Sequence, residues 1–249
     1  MSVNLSKDTA NKLNLRKEVV VDLVKRAGIG NQKAQVVLVM DISGSMSTMY
    51  NNGTVQEVIE RVVPMAMQFD DNQSIDLFLF NNNSTPAGEV TLNNLEGFVR
   101  NSILGKYQFG GTSYAPVIAD VRAAHSGGTA KPKGLFGGFF SKSPEPKSGP
   151  KLPTYVVFVT DGDNDDHGQT ERAIREASNE GIFWQFIGIG RAGFAFLDKL
   201  DNLSGRAIDN ANFFKADDIN RLSDAELYSL MLAEFPQWLG EARSRSLID

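Results

Sequence analysis

Asp41-Ile42-Ser43-Gly44-Ser45 puts one carboxylate and two hydroxyls at alternate positions, directly after the apolar run at 36–40. Ligands of parallel α/β sheets bind at the carboxyl ends of strands, and Gly44 lets the backbone turn so that three oxygens face one crevice. Oxygen donors without nitrogen or sulfur suit a hard cation, Mg2+ with Mn2+ or Ca2+ as alternatives, rather than zinc or copper. Gly110-Gly111-Thr112, a flexible loop ahead of a predicted helix, offers a further hydroxyl at Thr112. Asp161 ends a later apolar run as Asp41 ends the first, and Gly162 follows it. Asp41, Ser43, Ser45, Thr112 and Asp161 together make a candidate metal site of carboxylates and hydroxyls, with water completing the roughly octahedral shell of Mg2+. Both carboxylates are expected at a surface crevice. The competing reading of the first motif is an ordinary turn in which Asp41 caps a helix.

Other chemistries fit less well. A metal-dependent phosphotransferase of haloacid-dehalogenase type also places an Asp after its first parallel strand and an acidic string after a later one, which Thr160–Asp165 (TDGDND) resembles. Such enzymes need an acid two residues after the nucleophile, where this chain has Ser43, and a hydroxyl does not carry that proton at neutral pH. Asp161, Asp163, Asp165 and Asp166 suggest an EF-hand, but its sixth and twelfth positions hold Asp166 and Arg172 instead of Gly and Glu. The two histidines, His125 and His167, read as surface residues, so a nucleophilic triad is not expected. Cys is absent and no phosphate-binding G-x-x-x-x-G-K-[S/T] occurs. Trp184 and Trp238 read as packing residues.

The elements that must position these residues follow from periodicity. Short β-branched runs at 36–40, 74–80, 155–160 and 182–189 read as buried strands. A short edge strand is expected at 89–91 and a last strand at 206–209 or 211–214. Helices are predicted over 54–69 (with a possible kink at Pro64), 95–104, 114–125 capped by Ser113, 170–180 closed by Gly181, 194–200, and as a single amphipathic helix over 225–240. Strands alternating with helices imply a three-layer α/β/α, Rossmann-like fold with a mainly parallel central sheet. Residues 1–34 form an N-terminal extension whose helix at 13–27 sets Leu15, Val19, Val20, Leu23 and Val24 near one face, to pack on the body or hold a partner. The main domain spans 35–249, with a Gly/Pro/Lys-rich insertion at 127–153 whose Leu135, Phe136, Phe139 and Phe140 are a hook for a partner or fold back.

The whole chain of 249 residues carries a net charge of −5, unevenly spread. Seven bases and three acids fall in residues 1–35, and five Lys and one Glu in 130–152. The remainder is therefore strongly acidic, which suits cation binding better than nucleic-acid binding. With no apolar leader and no run long enough to span a membrane, a cytoplasmic protein is expected.

The motif order resembles a von Willebrand factor type A (vWA) domain over about residues 35–240. In that family a metal-ion-dependent adhesion site uses D-x-S-x-S, a distant Thr and a distant Asp, and all five positions are filled here. VVLVMDISGSMS, the following helix, FDDNQSIDLFLF and the GGTSYAP loop resemble more closely the vWA proteins of bacterial tellurium-resistance (TerF-like) operons. The resemblance implies Ser43, Ser45 and Thr112 as direct ligands, and Asp41 and Asp161 as direct or water-mediated ones. It implies a partner protein whose acidic side chain completes the coordination, a non-enzymatic role, and a stress or tellurite-resistance assembly. A stress scaffold with a purely structural ion remains an alternative, as does the phosphotransferase.

Overall fold

The computed structural model describes residues 5–126 and 151–249. Apart from Lys151–Pro153, the insertion with its Leu135, Phe136, Phe139 and Phe140 lies outside the described residues. Among the described residues the strands are β1 (Gln35–Asp41), β2 (Ile75–Phe80), β3 (Ser84–Val90), β4 (Thr154–Thr160), β5 (Ile182–Ile189) and β6 (Ala211–Ala216). They form one sheet in the order β3-β2-β1-β4-β5-β6, parallel except for β3, which runs antiparallel to β2 at an edge. The helices are α1 (Lys7–Arg26), α2 (Ser47–Asn51), α3 (Thr54–Phe69), α4 (Ala115–His125), α5 (His167–Ala177), α6 (Ala195–Asp201), α7 (Asp224–Met231) and α8 (Phe235–Ser244).

Alternation along β1 builds the three layers. Val36, Leu38 and Met40 join one buried cluster with α1, α3, α7 and α8, while Val37 and Val39 join the other with α4, α5 and α6. Each such side chain contributes about 1.5–3 kcal/mol on leaving water, so a continuous apolar run is stable only when both faces are covered. Trp184 and Trp238 are fully buried, on opposite faces.

Several elements differ from expectation for identifiable reasons. The single C-terminal helix is two, because Pro236 has no N–H to continue α7 and sits instead in the first turn of α8. Tyr155 donates its hydroxyl proton at 2.5 Å to the Met231 carbonyl freed at the break. Helix α3, by contrast, runs through Pro64. The expected helix at 95–104 is a single π-turn over Val99–Ile103. Edge strand β3 is longer than expected; its Pro86 and Gly88 weaken the sequence signal, and an edge tolerates the missing donor. Helix α5 ends four residues before Gly181, whose bare Cα instead admits the C-terminal tail: a Cβ there would lie 2.8 Å from Ile248.

Helix α1 starts earlier than the pattern suggests, capped by Ser6, which accepts the Thr9 N–H at 3.2 Å. Its buried face is Leu13, Arg16, Val20 and Val24, while Leu15, expected inward, is 63% exposed. The shift comes from Arg16, whose guanidinium turns inward to Glu57, Glu60 and Asp224. Arg61 shares Glu57 and Asp224, and donates to the carbonyls of Ile219 and Leu222 ahead of α7. The helix is thus fastened to α3 and α7. Among the described residues no helix is long and apolar enough to cross a membrane.

Candidate metal centre

The chain leaves β1 toward β2 on one side and later returns to β4 on the other, so the carboxyl end of β1 is the topological switch point where a crevice opens. Register sets what faces it. Val37 pairs with Val156 and Val39 with Phe158, so two residues further Asp41 stands beside Thr160 on the same face. Thr160 Oγ1 donates to Asp41 Oδ2 at 2.6 Å, and the Ser43 N–H donates to Asp41 Oδ1 at 2.6 Å. The Tyr50 hydroxyl holds the Asp41 carbonyl from behind at 2.9 Å. These groups close over Asp41 and bury it fully, so it does not lie at the surface as expected.

From Asp41 a chain of oxygens runs outward. Ser45 Oγ donates to Asp161 Oδ1 at 2.8 Å, and the Ser43 and Ser45 hydroxyls are 3.0 Å apart. Ser45 gives its one proton to Asp161, and the Ser43 hydroxyl stands within reach of both Ser45 and Asp41. Ser43 is buried and Ser45 exposed, so the line passes from interior to solvent. Ser43, Ser45 and Asp161 are therefore joined side chain to side chain, and Asp41 joins the line at the Ser43 N–H.

Thr112 is joined to none of the other four among the described residues; what is fixed beside them is its loop. Gly110 bridges Ser43 in parallel fashion, its carbonyl accepting the Gly44 N–H at 2.9 Å and its N–H donating to Ile42 at 3.1 Å. The Thr112 carbonyl accepts the Asp165 N–H at 2.9 Å, and Ser113 N–H donates to Asn81 at 2.9 Å. Among the described residues its hydroxyl makes no hydrogen bond, so its lone pairs remain available. Gly111 N–H donates to Asn82 Oδ1 at 2.8 Å, and a Cβ on Gly111 would meet that amide at 2.6–3.0 Å. The diglycine thus lies where the Asn81 and Asn82 side chains press against the loop.

Ser113 does not cap α4. Asp166, from the loop after β4, accepts the Tyr114 and Ala115 N–H groups at 2.9 and 2.8 Å, capping the helix from another part of the chain. Asn164 holds Asp166 and donates to Thr170 at 3.2 Å. The Tyr114 hydroxyl, 2.6 Å from the Gly162 carbonyl and 3.2 Å from Thr160, pins the turn after Asp161. The surplus acids of this loop are therefore partly structural.

Electrostatics make the centre receptive to a cation. Burial raises the Asp41 carboxyl from 3.8 to about 6, against the hydrogen bonds from Thr160 and Ser43, with the charge of Asp161 adding to the rise. Burial also raises Asp161, opposed by the Ser45 hydroxyl. Among the described residues no basic side chain pairs with either carboxylate. Among the described residues no three acidic or histidine side chains cluster as a metal group, and the other side-chain oxygens around the two carboxylates are hydroxyls. Two anions without a counterion beside hydroxyl oxygens fit a hard divalent cation.

The histidines lie elsewhere. His125, expected at the surface, is buried at the far end of α4, its Nδ1 3.1 Å from Gln35 and its Nε2 3.3 Å from Asp76. His167 contacts Asp163 at 2.7 Å and stacks on Phe196. Thr160, Tyr50, Tyr114 and Asn82 escaped the sequence reading, and Asp166, weighed there only as an EF-hand acid, is a helix cap. Only Thr160 had a signal, its place opposite Asp41 at the end of an equally apolar strand.

The model of a family described as the vWA found in the TerF C terminus matches residues 33–137 and 143–248. The chain belongs to this vWA family. It is 36% identical over 239 residues to the "Uncharacterized protein YcbR" of Bacillus subtilis (strain 168), covering 95% of this chain and 90% of that protein. Among solved structures it is similar to proximal thread matrix protein 1 from the mussel byssus, with a TM-score of 0.55, 16% identity, and coverage of 81% of this chain and 47% of that one. A second structure of that byssus protein gives 0.52 at 17% identity, covering 80% and 46%. The chain thus spans about half the length of those structures, and the likeness shows the vWA fold alone. Helix α1, fastened by Arg16, precedes the residues matched as vWA.

Proposed function

We propose that this vWA domain is a metal-dependent protein-binding module, in which a divalent cation, Mg2+ foremost with Mn2+ or Ca2+ as alternatives, captures an acidic side chain of a partner. Asp41, Ser43, Ser45, Thr112 and Asp161 would hold the ion. The observation that carries this reading is the Asp41–Ser43–Ser45–Asp161 line, an all-oxygen set reaching from a buried carboxylate to solvent without a basic side chain. Hydroxyl donors leave the charge of the ion incompletely neutralised, so an incoming carboxylate gains more there than water does. The family's name motivates placing the module in a bacterial tellurite-resistance or stress-response assembly in the cytoplasm. Binding without turnover is favoured because Ser43 stands where phosphotransfer needs an acid.

Capture of partners from a native lysate, with excess Mg2+ and with chelator, tests the reading. Capture should require Mg2+ and be lost in Ser45→Ala. Chelator-resistant capture would contradict it, as would metal-dependent phosphomonoester hydrolysis abolished by Asp41→Asn. If Ser43→Ala lowered melting temperature while capture survived, the ion would be structural.

A further inference from the structure

Loop 109–112 has two unlike ends. At one stands Phe109, 36% exposed and among the few large apolar side chains at the surface of the described residues. Its ring meets Tyr50 edge-on at 5.4 Å, and Tyr50 in turn holds the Asp41 carbonyl. The next residue, Gly110, is bonded to Gly44 between Ser43 and Ser45, which fixes the ring at the rim of the crevice. At the other end Thr112 is tied to Asp165, whose exposed carboxylate makes no ion pair among the described residues. Asp163, also exposed, accepts the Asn164 N–H at 2.9 Å and contacts His167 at 2.7 Å. An aromatic ring seated on Tyr50, with the Gln108 carbonyl held by Asn81 on one side and Gly110 held by backbone bonds on the other, loses little freedom on binding, which is what makes such residues strong contributors at interfaces.

We propose that this rim selects the residues flanking the partner's carboxylate: an apolar side chain seated against Phe109, and a Lys or Arg facing Asp165 and Asp163. The inference rests on the metal-bridged reading above, which supplies the anchoring carboxylate. A second acid on the Asp165 side meets like charge and is disfavoured, while a cation there is attracted. An apolar side chain on the Phe109 side removes exposed ring surface from water.

The test uses acetylated, amidated peptides with one central Asp, flanked by Phe and Lys, by Lys and Phe, by Ala on both sides, or by Glu on both sides. They are titrated into the full chain with excess Mg2+ or with EDTA and followed by NMR shifts. The better of the two mixed peptides should bind about tenfold tighter than the Ala peptide, and the Glu peptide weakest. Phe109→Ala should remove the advantage of Phe over Ala, and Asp165→Asn that of Lys over Ala. Calorimetry with Mg2+ alone, run on each variant, separates loss of the rim from loss of the ion. Equal Mg2+-dependent binding of all peptides would overturn the flank preference and leave the metal-bridged reading standing. Binding that survives EDTA would overturn the metal-bridged reading itself. Absence of binding by every peptide would overturn the proposal that the flanks are read at this rim.

Discussion

Thr160 Oγ1 donates a 2.6 Å hydrogen bond to Asp41 Oδ2 across 119 residues of chain. The bond exists because parallel register lays the last residue of β4 beside the last residue of β1. It supports a carboxylate that is shut off from bulk solvent. Thr160→Val keeps the shape and deletes the donor, so it should cost about 1–3 kcal/mol in urea unfolding at neutral pH. A change indistinguishable from zero would mean that Asp41 is solvated.

Asp41 also sets a pH dependence. Its folded carboxyl titrates at about 6 against an ordinary 3.8, because burial disfavours the charge. Between those values the folded state holds more protons than the unfolded one, so stability falls as pH rises through the window. The loss attributable to Asp41 is about 3 kcal/mol. Unfolding at stepped pH should show that decline without metal, a flatter profile with excess Mg2+, and a smaller decline in Asp41→Asn, where Asp161, also raised by burial, still contributes. A profile identical in Asp41→Asn would contradict this.

Arg16 brings a guanidinium from outside the family-matched residues into the interior. Arg16→Met should destabilise by about 3–5 kcal/mol, since it removes the base that Glu57, Glu60 and Asp224 share and leaves Arg61 paired with Glu57 and Asp224 alone. Thermal unfolding reads the effect. An unchanged melting temperature would show that α1 is a dispensable appendage.

Gly111 and Asn82 form a testable pair. Gly111→Ala should displace the Thr112 loop through its clash with the Asn82 amide, weakening Mg2+ binding severalfold with little loss of melting temperature. Asn82→Ala in the same chain opens the space and should restore part of the affinity. If the double variant were weaker than the single one, the hydrogen bond from Gly111 to Asn82, not the crowding, would dominate.

The alternation of β-branched runs with amphipathic stretches was enough to place β1, β2, β4 and β5, since burial on both faces leaves an apolar run that no other element produces at that length. D-x-S-x-S was legible because its spacing is local. Thr160 and Asp166 were not, because their partners lie across the sheet or in another loop, and only register or a folded turn brings them together. Leu13 and Leu15 carry the same hydrophobic signal, and the buried ion cluster around Arg16 decides which turns inward. Pro236 was visible in the sequence, but a helix broken and restarted within a few residues preserves the apolar pattern that suggested a single one.

The account stands on a hard cation bound by Asp41 and Asp161. Isothermal titration with Mn2+, repeated with Asp41→Asn and Asp161→Asn, addresses it directly. One Mn2+ should bind per chain, be displaced by excess Mg2+, and fail to bind either variant while both stay folded by circular dichroism. Absence of binding to the unaltered chain, or equal binding by the variants, would contradict it.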